Sequence, residues 1–151
     1  MHQIVGIAIT SRKVLSQFLD DYTLEQLNKI PVGFSNNMIW NIAHSIVVQQ
    51  MLVYKLSGLP MILSDEMAEK YKRGTKPEQD VTQEEVNQIQ SLLLKTIEKT
   101  NEDFENKIFK TYQEFTTLSG VTLKNVEDAL IFNCYHEALH LGIIMSIRKF
   151  V

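Results

Sequence analysis

Apolar residues recur every three or four positions along four stretches of the chain, the spacing of a helix that buries one face. The stretches predict helices near residues 3–20, 36–57, 82–106 and 122–149. The three prolines all lie between them, as expected for helices separated by loops. The pattern therefore predicts an all-α four-helix bundle with little sheet, formed by a single domain over residues 1–151.

Local signals place the ends of these helices. Ser35 or Asn36 is predicted to cap the second helix, and Gly58 followed by proline to end it. Thr82 opens a capping-box pattern at the start of the third helix, and Thr122 is the predicted N-cap of the fourth.

The segments between the helices also carry patterns. Residues 58–81 form a long connection, in which a short helix is predicted from Ser64 to Gly74. Such a connection is typical of a crossover between bundle helices that run the same way, in an up-down-down-up order. Residues 106–120 are β-branched and aromatic, which predicts an irregular or strand-like connection.

In the first helix the predicted buried stripe is Ile4, Ile7, Ala8, Ser11, Val14, Leu15, Phe18 and Tyr22.

Two of the predicted helices are apolar nearly all round, over residues 38–56 and 129–147. Such helices must be covered on more than one side, which predicts a homodimer. The second stretch approaches membrane-spanning length, but polar residues interrupt it. Because polar groups are costly within lipid, we interpret it as a buried helix of a soluble protein and expect no membrane association.

Composition narrows the classes of function. Hydrophobic residues make up 44% of the chain and charged residues 22%, with a formal net charge of −3. No basic stripe is present, so we expect no nucleic-acid partner. The single cysteine, Cys134, excludes an internal disulfide and favours a reducing compartment. With no signal-peptide pattern at the N-terminus, we expect a cytoplasmic protein.

His136 and His140 lie one helical turn apart in an HExxH pattern. Two imidazoles on one face can bind a single divalent ion, and in many metalloproteases the glutamate of this motif is the general base. No further histidine follows, so a third ligand must come from upstream. His2 lies at a terminus that is expected to fray, whereas His44 lies within an apolar helix. The predicted metal ligands are therefore His44, His136 and His140, with Glu137 as candidate base or, alternatively, a structural carboxylate.

Several neighbouring residues have two interpretations. Asn41 and Asn133 each precede a histidine by three positions and either hydrogen-bond a ring nitrogen or are ordinary buried amides. Cys134 is interpreted as a packing residue. A basic cluster in the long connection either binds an anionic substrate or is a solvated loop, and the second is the simpler interpretation. The cluster comprises Lys70, Lys72, Arg73 and Lys76.

Two segments resemble a known family, the DinB/YfiT-like superfamily. Phe34–His44, with Trp40 four positions before His44, resembles the entry into its second helix, and His136–Gly142 resembles its last-helix motif. Ile143 stands where the family often has glutamine. The resemblance implies an up-down-down-up four-helix bundle, often dimeric, with a three-histidine site for zinc or nickel. Characterised members include transferases and isomerases that use glutathione, mycothiol or bacillithiol, whereas many members have no known activity.

Three histidine ligands leave a coordination position open, as in catalytic sites. The leading hypothesis is a metal-dependent transferase or hydrolase that acts on a small molecule, with a low-molecular-weight thiol as cosubstrate. The alternative is a non-enzymatic, metal-stabilised bundle that serves as a binding or interaction module. A zincin-type protease is disfavoured, because the chain has no downstream ligand.

Overall fold

The computed structural model describes residues 2–151, and four long helices dominate it. These are α1 (His2–Asp21), α3 (Met38–Val53), α5 (Gln83–Glu105) and α6 (Val126–Ile147). Short helices α2 (Leu24–Asn28) and α4 (Asp65–Tyr71), and 3-10 turns at Lys55–Ser57 and Arg148–Phe150, complete the helical part. Strands β1 (Phe115–Thr116) and β2 (Thr122–Leu123) form a small antiparallel hairpin. The predicted mainly helical fold with little sheet is confirmed.

Side-chain caps explain where most of these helices begin. Ser64 accepts a hydrogen bond from the backbone N–H of Met67 at the start of α4, and Thr82 does the same for Glu85 at the start of α5. Both starts were predicted. The cap of α3 is Asn37, which accepts from the N–H of Trp40 at 2.9 Å, so this helix begins slightly later than predicted.

The last helix begins later than its sequence pattern predicts. Thr122 is not its N-cap, since it lies in β2 and pairs with Thr116 of β1. Asn125 caps α6 instead, because its side chain accepts a hydrogen bond from the N–H of Asp128 at 2.8 Å. A threonine is equally suited to a strand and to a cap, and the pairing of the hairpin decides between the two.

Helix α3 lies at the centre of the bundle. It contacts α5 and α6, and α1 packs against the same two helices. Of its 16 residues 14 are buried, so the prediction of cover on more than one side is confirmed for this helix. Any side chain on its inner faces is therefore held in place by neighbours.

The buried face of α1 is rotated from the predicted stripe. Ile7, which was predicted to be buried, is 55% exposed, whereas Arg12 is fully buried. Val5, Ala8 and Leu15 define the buried face, and Arg12 lies between the last two at helical spacing. A lone arginine within that row was the overlooked signal for a buried ion pair.

Helix α6 is covered on one side only in the isolated chain. Its exposed apolar residues are Ile131, Tyr135, Leu139 and Met145. The cover on more than one side that the apolar pattern predicts for α6 is therefore not supplied within one chain. By length and composition alone, residues 126–150 are apolar enough to cross a membrane, and 28% of the apolar window is buried inside the fold.

Candidate metal centre

The packing of α3 against α6 brings three histidines together. His44 comes from the middle of α3, and His136 and His140 from successive turns of α6. One ring nitrogen from each lies within 4.8 Å of the others. Within the described part of the chain, these three residues therefore form a group that could hold a single metal ion.

Hydrogen bonds at the Nδ1 atoms orient two of these rings, those of His44 and His140. His44 Nδ1 lies 2.6 Å from the backbone carbonyl oxygen of Tyr71, which can only accept. His140 Nδ1 lies 2.8 Å from Asn41 Oδ1, and the Asn41 amide is fixed because its nitrogen donates to the Asn37 carbonyl. Both Nδ1 atoms are therefore donors, and both Nε2 atoms carry free lone pairs. This is the tautomer that binds a metal through Nε2.

The ring nitrogens that lie close together are suited to bind a cation. His140 Nε2 and His136 Nε2 are 3.2 Å apart. Burial, followed by the charges of the neighbouring histidines, lowers the pKa of His136 to about 4 and that of His140 to about 3. Burial also lowers the pKa of His44, partly offset by its bond to the Tyr71 carbonyl. The rings are therefore neutral at pH 7, which is the form that binds a metal, and the donor set fits a divalent ion.

Trp40 supports His44 from one turn earlier on α3. Its ring stacks on the His44 imidazole with centroids 4.6 Å apart and an interplanar angle of 12°. Its indole N–H donates to Thr75 Oγ1 at 3.3 Å. The tryptophan thereby links His44 to Thr75 in the segment after α4, and the carbonyl of Tyr71 at the end of α4 holds the same imidazole.

Glu137 lies away from the histidine nitrogens, between α1 and α6. Its Oε1 accepts from Arg12 Nε at 2.8 Å, from Arg12 Nη2 at 2.5 Å and from Asn133 Nδ2 at 2.8 Å. Arg12 also donates to the Ser45 carbonyl of α3. These contacts favour the structural-carboxylate interpretation of Glu137 over the general-base interpretation.

The two asparagines differ from each other in what they bind. Asn41 does hydrogen-bond a histidine, but that residue is His140 of α6 and not His44 of its own helix. Asn133 donates to Glu137, and His136 Nδ1 has no hydrogen-bond partner among residues 2–151. The sequence indicated that an asparagine could orient a histidine, but not that Asn41 binds His140 while Asn133 binds Glu137.

Cys134 packs against α1. Its Sγ lies 3.7 Å from the carbonyl oxygen of Ile4, and burial, followed by the charge of Glu137, raises the pKa of the thiol to about 11. A thiol that stays protonated at pH 7 is a poor nucleophile and ligand, which agrees with the packing interpretation. The side chain of His2 lies outside the described part of the structure.

The histidines border a cavity of about 400 Å³. His44 and His136 form part of its wall, and the rest comes from α3, the β1–β2 connection, α6 and the turn after α4. The other lining residues are Val48, Met51, Leu52, Lys72, Arg73, Phe115, Thr117, Leu118, Ser119, Phe132, Tyr135 and Leu139. The three-histidine group therefore adjoins a space large enough for a small molecule. Glu137 does not line it.

A helical bundle with a three-histidine centre between two of its long helices defines a class of potential metalloproteins. The sequence model of the DinB superfamily matches residues 8–144. The chain therefore belongs to the DinB superfamily, as its two motifs indicated. A search of curated proteins gave no match.

Proposed function

We propose that this protein is a metal-dependent transferase or hydrolase that acts on a small molecule. His44, His136 and His140 would hold one divalent ion, zinc or nickel. The observation that carries the proposal is that two of these histidines also line the 400 Å³ cavity. A ligand in that cavity would lie beside the ion, whereas a purely structural metal site is closed on all sides.

A bound divalent ion would lower the pKa of a thiol or a water molecule and so supply a nucleophile near neutral pH. In thiol transfer, the sulfur would form a bond to an electrophilic carbon of the substrate. The leaving group would depart with its bonding electrons, and the thiol proton would pass to solvent. The cavity's apolar wall would hold the electrophile and limit the access of water.

Glu137 is assigned a positioning role in this scheme. Its three hydrogen bonds fix α6 against α1 through Arg12, and His136 is the residue directly before it. The ion pair would thereby set the height and rotation of α6 at the metal centre. To act as a proton acceptor at the cavity, the Glu137 carboxylate would have to break its hydrogen bonds with Arg12.

The first experiment is metal analysis of protein purified without a tag, followed by a thiol-transfer assay. Glutathione and other low-molecular-weight thiols are incubated with chlorodinitrobenzene, and the release of chloride with formation of the thioether is measured. We expect turnover that requires metal and is lost in His44→Ala. Cys134→Ser is the control and should retain turnover. Stoichiometric metal with no transfer or hydrolysis across a panel of electrophiles and esters would contradict an enzymatic role.

The alternative function is a metal-stabilised binding module that forms a homodimer. The observation in its favour is the exposed apolar row on α6, which a second copy would cover. For the bundle itself we infer the up-down-down-up helix order, with residues 58–81 as the crossover between α3 and α5. Metal that raises the melting temperature without any turnover would favour the binding module over the enzyme.

A further inference from the structure

We propose that the cavity beside the histidines selects anionic molecules with an aromatic-sized apolar body, and that Arg73 binds the anionic group. The inference rests on the proposed function only in assuming that this cavity receives the substrate. It names the chemical class of that substrate: an apolar frame that carries a carboxylate, sulfonate or similar group.

The wall of the cavity is mostly apolar. Val48 and Met51 of α3, Phe132 and Leu139 of α6, and Phe115 of the hairpin all line the cavity. A volume of about 400 Å³ is sufficient for one or two fused aromatic rings with a substituent. Such a wall favours an apolar body because burying it removes apolar surface from water.

The turn that follows α4 supplies the positive charge at the cavity. Lys72 and Arg73 line the cavity, and no acidic residue does. Lys72 is already paired with Glu69. Arg73 is exposed and has no ion pair among residues 2–151, so its guanidinium is free to bind a ligand. The planar fork of an arginine matches the geometry of carboxylate and sulfonate oxygens.

A neighbouring cavity shows that this charge balance is particular to the histidine side. That cavity is lined in part by Tyr71, and its basic residues Lys70 and Lys76 share the wall with Glu66, Glu69 and Glu78. Mixed charges of this kind give no preference for an anion. The basic cluster of the long connection is therefore divided between two cavities, and only Lys72 and Arg73 line the one that the histidines border.

Hydrogen bonds to residues on both sides of Arg73 tie its turn to the metal centre. Tyr71, two residues earlier, holds the His44 imidazole through its carbonyl oxygen, and Thr75, two residues later, accepts from Trp40. The turn that carries Arg73 is thus anchored on both sides to the ring stack of the site. An anion on Arg73 would orient the apolar body toward His44 and His136.

Two dyes with the same aromatic frame test this proposal: 8-anilino-1-naphthalenesulfonate, which is anionic, and N-phenyl-1-naphthylamine, which lacks the sulfonate. Their dissociation constants are measured by fluorescence on metal-loaded and on chelator-treated protein. Arg73→Gln should weaken binding of the anionic dye about tenfold, equivalent to about 1.4 kcal/mol, and leave the neutral dye unchanged. Lys76→Gln makes the same charge change three residues away and should alter neither.

A second pair of variants tests whether the cavity is the site. Leu139 and Met145 are both half-exposed apolar residues of α6, but only Leu139 lines the cavity. Leu139→Asn should weaken both dyes severalfold, and Met145→Asn should weaken neither. Equal effects of the two variants would overturn the assignment of the cavity.

The remaining outcomes separate this inference from the proposed function. An unchanged ratio of anionic to neutral affinity in Arg73→Gln would overturn the role of Arg73. An anionic preference that disappears on chelation would overturn it too, because the metal would then be the anion's partner. Protein that takes up no metal but shows the Arg73-dependent preference would uphold the anionic pocket and contradict the metalloenzyme proposal.

Discussion

Arg12 of α1 and Glu137 of α6 form an ion pair with both side chains fully buried, across 125 residues of sequence. Glu137 is the central glutamate of the HExxH pattern, in which a carboxylate near the metal is expected. In this fold the side chain turns instead toward α1. The pair joins three helices, because Arg12 also donates to the Ser45 carbonyl of α3 next to His44.

Glu137→Gln should destabilise the protein strongly, because it leaves the Arg12 guanidinium buried without its counter-charge. We expect a loss of about 3–5 kcal/mol in the free energy of unfolding, measured by urea denaturation. Glu127→Gln, an exposed change on the same helix, should alter it by less than about 0.5 kcal/mol.

A double variant completes this test. Arg12→Met with Glu137→Leu removes both charges and should recover most of the stability lost by Glu137→Gln alone. Should Glu137→Gln keep full stability and metal while losing turnover, the carboxylate is the general base and the structural assignment is wrong.

The three histidines should act as one unit in metal binding. Because each ligand comes from a packed helix and the unfolded chain holds them far apart, metal should stabilise the native state by about 4 kcal/mol at a thousandfold excess over its dissociation constant. His44→Ala, His136→Ala and His140→Ala should each abolish this gain, whereas His2→Ala should retain it. The readouts are metal stoichiometry and melting temperature with and without chelator. Full metal content in His44→Ala would remove α3 from the site.

Asn41 should control metal affinity without touching the metal. Its Oδ1 accepts from His140 Nδ1 and so directs Nε2 inward. Asn41→Leu should lower metal affinity about 10- to 100-fold, measured by competition with a chelator. Asn87→Leu, an exposed change on α5, is the control. An unchanged affinity in Asn41→Leu would show that packing alone, including the Trp40 stack, orients the ring.

The stability of the metal-free protein should fall as the medium becomes acidic. The folded pKa of His136 is lowered to about 4 and that of His140 to about 3, chiefly by burial. Below the ordinary histidine pKa of about 6.5, protons therefore bind the unfolded chain preferentially. The resulting loss begins near pH 6.5 and ends below the folded pKa values, on the order of 3 kcal/mol for His136.

Urea titrations of chelator-treated protein at pH 7.5, 6 and 5 measure this loss. His136→Leu should flatten the dependence, because one of the three histidines with a lowered pKa is gone. A free energy of unfolding that stays constant from pH 7.5 to pH 5, in wild type and variant alike, would contradict the lowered pKa values.

A homodimer through the exposed face of α6 is the remaining prediction. Ile131 and Met145 are both exposed on this helix, and Ile131→Glu with Met145→Glu should separate the copies by placing charges in an apolar contact. Sedimentation at micromolar concentration should show a dimer for wild type and for the control Val32→Glu, which changes an exposed loop residue. A monomeric wild type would contradict the prediction.

The sequence by itself determined the features that depend on local geometry. The periodic apolar stretches predicted the long helices, and Ser64 and Thr82 marked two helix starts, because a cap needs only the next few residues. The spacing of His136 and His140 placed two imidazoles on one face, since positions four apart always share a face. His44 could be selected because its helix is apolar all round, and the structure brings its imidazole to the other two.

Only the tertiary structure decided which distant partners these residues meet. The rotation of α1 about its axis buries Arg12 against Glu137, and helical periodicity fixes that rotation only approximately. The acceptor for His44 is the backbone carbonyl of Tyr71, which has no side-chain signature in the sequence. The β1–β2 hairpin delays the start of α6, and the turn after α4 puts Arg73 at the cavity. Apart from the hairpin, whose strands are close in sequence, these contacts join segments far apart in the chain, so their geometry exists only once the helices have packed.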